Sequence, residues 1–447
     1  VVAMGAGLGL NSSGVRQIAS AKKDPTTLSR VRQVLLAALF VQGVLAMAVI
    51  WLLRQRLALW LLGDTDYAME VGLIGVAVLL TLLSSSQVAL LQGMRRIGDL
   101  ARVTVFGALA GTLAGLLAVW IWGLDGLIWF ILVQPLTAIL VAYHYTRRLP
   151  RSTDTLMTFP EIWRTWLPLV QLGGVFMLGG IATTATVLSI RGYVTQKLGL
   201  DAVGQFAAAW SVTTVYVGFL LHAIAADYFP RLTEVIAAKV AANALMNDQV
   251  QLALALGGPV LLFLLGAAPW LIRILYSSDF DGAVTLLQWQ TVGNVFKLAS
   301  WPLGFAFIAA ARSKVFLALE LGFNAVFLAV IWIGFPVWGL QVTGVGFAFT
   351  YVVYLAALDQ LTRKLLGFRW HPLSLWLILG HGVLSFVMLF LVLNFLVTGT
   401  ILSTIFAVAT GLVGGRIVLA KVGKEGRLAS SVSRIYSVVG WLIQETK

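Results

Sequence analysis

Residues 34–53 read VLLAALFVQGVLAMAVIWLL, twenty consecutive positions with a single glutamine and no charge. About 20 apolar residues of α-helix cross a hydrocarbon core roughly 30 Å thick. Inside lipid every backbone N–H and C=O must find a partner within the structure, which leaves helices or closed barrels. The run is continuous and does not alternate, so it reads as a helix. Comparable stretches recur near 69–93, 103–122, 126–145, 166–190, 204–228, 252–275, 284–309, 315–338, 342–360, 372–396 and 398–420, and a fragment lies at 1–20. Over 447 residues the chain is 60% hydrophobic and 11% charged, against roughly a quarter charged in soluble domains. The expectation is an all-α, polytopic membrane protein with twelve full spans and one partial span.

The formal net charge is +13, and the loops account for it. If the 21–33 loop is cytoplasmic, alternate loops and the tail hold 25 of the 31 basic residues, the opposite side holds five, and Lys297 lies within a span. That asymmetry orients the protein with a cytoplasmic C-terminus and removes any need for a nucleic-acid partner. With no cysteine and four scattered histidines, neither a disulfide nor a metal centre is expected. No phosphate-cradling Gly-Lys-Ser loop, no His-Glu-x-x-His and no paired carboxylates at catalytic spacing occur, so neither an enzyme nor a cofactor is expected. The chain opens at Val1 within an apolar stretch, and the first span is expected to precede it.

The two halves resemble each other. LWLLGDTDY (59–67) leads through a span to Arg95 and Arg96, then through another span to Trp122-Gly123-Leu124; IRILYSSDF (272–280) leads in the same order to Arg312 and Lys314, then to Trp338-Gly339-Leu340. An offset of about 213 to 216 residues, holding six spans, makes the copies run the same way through the membrane. Such a parallel repeat places substrate between two lobes of a transporter. The expected organisation is an N-terminal lobe at 1–150, lacking its first span, a second six-helix lobe at 151–366, two additional helices at 367–421, and a cytoplasmic tail at 422–447 whose Leu428, Val432, Ile435 and Val439 have the spacing of an interfacial helix.

Polar residues within spans mark pathways, because lipid penalises them. On 284–309, Gln290, Asn294, Lys297 and Trp301 are spaced four, three and four apart, one stripe of a helix. Lys297 is either a cation lining a cavity for an anionic substrate or the partner of Glu320 on the next helix. On 166–190, Gly173, Gly180, Thr184 and Arg191 share a face; Arg191 is a bidentate phosphate ligand or an interfacial anchor. On 204–228, Ser211, Thr214, Gly218 and His222 precede Asp227. His222 titrates in the range that proton coupling needs or is a satisfied core histidine, and Asp227 can pair locally with Arg231. Glu320 is a counter-ion or a protonatable coupling site.

The segments GAGLGLNSSGVRQIASAKKDPTTLSRVR (5–32), LLGDTDYAMEVGLI (61–74), VGQFAAAWSVTTVYVGFLLHAIAADYFPRLTEV (203–235) and LLQWQTVGNVFKLASWPLGFAFIAAARSKVFLALELGFN (286–324) resemble the Wzx-type polysaccharide flippases of the multidrug/oligosaccharidyl-lipid/polysaccharide exporter superfamily, in particular the O-antigen and enterobacterial-common-antigen branch. The resemblance implies a cationic central cavity that moves an undecaprenyl-diphosphate-linked oligosaccharide from the cytoplasmic to the periplasmic leaflet of an inner membrane by alternating access. The polar stripes offer Lys297, Arg191, Asn294, Gln290, Trp301 and Thr184 as substrate contacts and Glu320, His222 and Asp227 as ion-coupling candidates, and of these Lys297 and Glu320 fall where such flippase sequences also carry a lysine and a glutamate. A polysaccharide polymerase and a chain-length regulator are the protein partners expected of such a flippase. Asn294 stands where relatives of this kind can carry an acid. A peptidoglycan-precursor flippase and a multidrug or cation antiporter share the expected fold; a membrane-embedded ligase or polymerase would need larger periplasmic loops.

Overall fold

Asp24 and Pro25 decide where the first long helix begins. In the computed structural model, which describes residues 10–22, 24–62, 65–149 and 158–422, Asp24 Oδ1 accepts hydrogen bonds from the Thr26 N–H at 3.0 Å and the Thr26 hydroxyl at 2.7 Å. Its Oδ2 accepts from the Thr27 hydroxyl at 2.6 Å. These bonds satisfy the first turn of a helix whose first residue, a proline, has no N–H to offer. They also hold the Asp24 carboxyl down at about 2, the Thr27 hydroxyl contributing most. The loop expected at 21–33 therefore shrinks to a short turn, and Arg30 and Arg32 ride on the helix.

Thirteen α-helices follow among the described residues: α1 Leu10–Ala21, α2 Pro25–Leu62, α3 Ala68–Gly93, α4 Ile97–Trp122, α5 Gly126–Thr146, α6 Phe159–Leu198, α7 Leu200–Val235, α8 Lys239–Leu275, α9 Gly282–Ala309, α10 Ser313–Trp338, α11 Val342–Leu366, α12 Pro372–Asn394 and α13 Leu396–Val422. Among the described residues eleven stretches are long and apolar enough to cross a membrane, and one of them, Ser313–Leu366, is the pair α10 and α11 joined by a 3₁₀ turn. The twelve expected spans are thus all helical. The tail helix expected at 422–447 lies outside the described residues.

The internal repeat is built into the backbone. Arg95 and Ala311 both have φ +58°, and Gly123 and Gly339 have φ +60° and +52°; each pair stands 216 residues apart. The glycine pair opens two matching 3₁₀ turns, Gly123–Asp125 and Gly339–Gln341. A left-handed backbone is costly for a residue with a Cβ, so its recurrence at Arg95 and Ala311 reports the same tight turn made twice. Packing repeats as well: α3 lies between α2 and α5 as α9 lies between α8 and α11.

The chain gathers into two units. The first comprises Val1–Ala182 with Ala226–Glu234 and Ala311–Leu317. The second comprises Thr183–Ala225, Val235–Ala310 and Ala318–Lys447. Within the second unit an aromatic core joins Trp210, Phe327, Phe347 and Tyr351, with Phe347 within 6.1 Å, centroid to centroid, of each of the other three. The additional helices α12 and α13 pack on α8, where a Cβ on Gly258 would overlap the His381 ring and one on Gly266 would meet Ser403. Small residues at helix crossings are how membrane helices approach closely.

Candidate functional site

Helix α9 carries the stripe read from the sequence, and the structure divides it. Gln290 and Asn294 are wholly buried and turned into the second unit. Gln290 Oε1 accepts from the Thr213 hydroxyl of α7 at 2.7 Å, and Asn294 Nδ2 donates to the Gln290 carbonyl one turn back at 2.8 Å. Lys297 is half-buried and faces α11, its Nζ 5.6 Å from the centroid of the Tyr351 ring. Trp301 packs against the apolar cluster of Val250, Leu254 and Leu298, with its ring 4.3 Å from that of Phe305.

Glu320, on α10, takes a different partner from the one its position suggests. Its Oε1 accepts the Tyr354 O–H at 2.7 Å, and among the described residues no carboxylate lies within 4.0 Å of Lys297. The direct Lys297–Glu320 ion pair left open by the sequence is not made. Instead Tyr351 and Tyr354, three apart on α11 and with rings 6.2 Å apart at 89°, stand one against the ammonium and the other against the carboxylate. Asn324 donates to the Glu320 carbonyl at 2.8 Å and to Thr183 Oγ1 at 3.4 Å.

This neighbourhood is under-satisfied. Gln290 Nε2, Asn294 Oδ1 and Asn324 Oδ1 are buried without a hydrogen-bond partner among the described residues, as is Arg191 Nε elsewhere, on α6. A buried polar atom left unpaired costs about 1–3 kcal/mol, and a native protein tolerates several together where function uses them.

The remaining candidates separate. Arg191 is half-buried near the C-terminal end of α6, flanked by the core residues Ile190 and Val194, and Thr184 is half-buried two turns earlier on the same helix. The side chain of His222 lies outside the described residues. Asp227 belongs to the first unit and Lys297 to the second. Its Oδ1 accepts from Arg95 Nε at 3.0 Å and Nη2 at 2.7 Å, and its Oδ2 from Arg231 at 3.2 Å. The local Arg231 pair was legible; Arg95, the stronger partner, was not. Thr213, Tyr351 and Tyr354 were likewise missed. The one available signal was two tyrosines three apart in the middle of a span, the spacing that puts both on one helix face.

Comparison with known proteins fits this architecture. The lipid III flippase of Escherichia coli is 22% identical over 356 residues, covering 78% of this chain and 84% of that protein; the lipid III flippase of Shigella flexneri aligns equally. A MATE transporter of Vibrio cholerae superposes with a TM-score of 0.66 at 17% identity over 84% of this chain and 87% of that one. A MOP superfamily transporter from Pyrococcus furiosus does so with a TM-score of 0.69 at 15% identity over 82% and 85%. The molecule is therefore a multi-pass membrane protein with a MATE-like fold. The polysaccharide biosynthesis protein family matches residues 2–285, well over half the sequence, and the chain belongs to that family.

Proposed function

We propose that this protein is a flippase that carries an undecaprenyl-diphosphate-linked oligosaccharide repeat unit, of O-antigen or a related polysaccharide, from the cytoplasmic to the periplasmic leaflet of the inner membrane by alternating access. Two lobes, 1–150 and 151–366, rock about the substrate, and the C-terminus is cytoplasmic. The observation that carries the reading is Lys297: a cation in the middle of a span, half-buried, with no carboxylate at ion-pair distance among the described residues, in a member of the polysaccharide biosynthesis family. A diphosphate cannot enter hydrocarbon unshielded, and a fixed ammonium offers it a counter-charge while the isoprenoid tail stays in the bilayer.

In this scheme Lys297 and Arg191 bind the diphosphate. Gln290, Asn294, Thr184 and Trp301 shape the substrate path, and Glu320, His222 and Asp227 couple transport to an ion gradient. A polymerase and a chain-length regulator take up the product.

The test is complementation of a strain lacking its own flippase. Lys297→Ala should abolish surface polysaccharide at unchanged protein level and leave the precursor in the cytoplasmic leaflet, while Lys297→Arg retains part of the activity. Normal polysaccharide from Lys297→Ala would remove this residue and with it the support for a diphosphate cargo. A cation antiporter of the same fold would instead change drug susceptibility and leave polysaccharide untouched.

A further inference from the structure

The first unit contains a cavity of about 700 Å³ between α2, α3 and α5, within the roughly 300–1,000 Å³ typical of small-molecule sites. It is graded along its length. Ser29, Arg32 and Gln87 line one end, close to where α2 begins and α3 finishes. Leu36, Phe40, Leu83 and Leu140 line the rest. Arg32 and Phe40 are eight residues apart on one helix, about 12 Å at 1.5 Å per residue, so a molecule filling the cavity meets a cation at one end and hydrocarbon along the other.

The internal repeat shows what this place holds in the second unit. Leu36, Phe40 and Leu83 stand 214 or 215 residues before Val250, Leu254 and Leu298. Those three pack with Trp370, Leu377 and Ile378, at the start of α12. Ser29 and Gln33 stand 214 residues before Asn243 and Asn247, which bind the 369–374 segment: Asn243 Oδ1 accepts the Arg369 N–H at 2.9 Å and Asn247 Oδ1 the His371 N–H at 2.8 Å. The groove on α2, α3 and α5 is thus the counterpart of the seat of α12.

Two differences decide what fills it. The glycines that let helices settle on α8, Gly258 and Gly266, are matched on α2 by Val44 and Leu52, and Gly43 is spent on Leu79 of α3. A second helix cannot approach as α12 does, whereas a flexible chain can thread between Leu36, Phe40 and Leu140, the last 61% exposed. In addition, Met246 of the second unit is replaced by Arg32, an arginine where the peptide-covered copy has an apolar side chain. Arginine beside a hydroxyl and an amide is a phosphate-binding set, and basic pockets between membrane helices recognise anionic lipid head groups.

We infer that this groove binds an anionic membrane phospholipid, with its phosphate at Arg32 and Ser29 and an acyl chain along Leu36, Phe40, Leu83 and Leu140. The lipid supplies to the first unit the cover that α12 supplies to the second, and the inference does not depend on the transported cargo.

The experiment is native mass spectrometry of the purified full chain, delipidated in detergent and titrated separately with phosphatidylglycerol and with phosphatidylcholine of the same acyl chains. Phosphatidylglycerol should bind more tightly. Arg32→Gln should weaken it about fivefold, the effect of one basic residue at a lipid surface, without changing phosphatidylcholine binding, and Arg32→Lys should retain most of it. Leu140→Trp, on the exposed rim and expected to fold normally, should reduce both lipids. Equal binding of the two lipids by the unaltered protein, or an unchanged Arg32→Gln titration, would overturn the inference. So would a retained adduct with the mass of an isoprenoid diphosphate, or a photo-cross-linker at Leu140 that captures a protein helix in cells.

Discussion

Replacing Gly293 by alanine sets two well-measured effects against each other at the crossing of α9 and α11. A Cβ at this position would lie 2.6 Å from Phe347 Cδ1, 3.0 Å from Phe347 Cε1 and 2.9 Å from the backbone Cα of Ala348. Carbon atoms in contact prefer about 3.5–4.0 Å, so the two helices must part by the best part of an ångström. The Phe347 ring cannot swing aside, because it is 2% exposed and packed against Trp210, Phe327 and Tyr351; Ala348 offers backbone, which cannot rotate at all. Overpacking of this kind costs about 1–3 kcal/mol. Removing a glycine from a helix interior gains about 1 kcal/mol, which leaves a net loss of roughly 0–2 kcal/mol, towards the upper end because neither the Phe347 ring nor the Ala348 backbone can give way. Gly322→Ala on α10 is the control, since nothing lies within 4 Å of its added Cβ and only the favourable propensity term remains. Thermal unfolding in detergent, followed by tryptophan fluorescence, should place Gly293→Ala a few degrees below the parent and Gly322→Ala at or above it. Because α11 carries Tyr351, the same substitution should also reduce transport. A melting temperature for Gly293→Ala equal to that of Gly322→Ala would refute the packing argument.

At the left-handed turn, Ala311→Gly should be neutral or stabilising, because the strain of roughly 1–2 kcal/mol for a residue with a Cβ outweighs the glycine entropy term, whereas Ala311→Val should lower the melting temperature; a fall with glycine contradicts the φ of +58°. The Asp24 cap has its carboxyl depressed from 3.8 to about 2, so its stabilisation is present above about pH 4 and fades as the pH falls towards 2. Asp24→Ala should therefore melt below the parent at neutral pH and converge with it in acid, and a gap that persists at the lowest pH would exclude the cap. A double-mutant cycle of Arg95→Ala and Asp227→Ala should give a coupling of at most about 1 kcal/mol, since both groups are about a third exposed, and it should shrink at high salt. A coupling that does not respond to salt would mean that the pair acts through something other than its charges.

Much of the fold was legible because lipid allows so few solutions. Apolar length alone located the spans, and Trp-Gly-Leu at 122–124 and 338–340 marked two turns that the backbone repeats at Gly123 and Gly339. The 21–33 segment misled because its lysines and arginines argue for solvent, while its conformation is decided by two residues, Asp24 and Pro25. Helical spacing placed Gln290, Asn294 and Lys297 on one face but says nothing of which neighbour each part of that face meets. Two turns apart on the same helix, Gln290 meets Thr213 of α7 and Lys297 meets Tyr351 of α11. Spacing reports neighbours on the same helix, so Arg231 was found for Asp227 and Arg95, 132 residues away, was not.

The Lys297 neighbourhood gains its meaning from what it lacks. Withdrawing an ammonium from water costs several kcal/mol even after the protein relaxes. A cation over an aromatic ring recovers about 0.5–2 kcal/mol, and at 5.6 Å from the Tyr351 centroid Lys297 sits near the outer limit of that attraction. Glu320 is the natural compensation, yet its Oε1 already accepts the Tyr354 hydroxyl, and it makes no ion pair with Lys297. The two charges are close enough to belong to one neighbourhood, and a tyrosine stands at each. Such an arrangement leaves the ammonium without a closed salt bridge. An arriving anion can then take it as a partner without first breaking a closed salt bridge, and when the anion leaves, Tyr351 remains to receive the ammonium. On the proposed function, such a site would bind and release, and that reversibility is what moving a phosphate-bearing lipid would require and a purely structural ion pair would forbid.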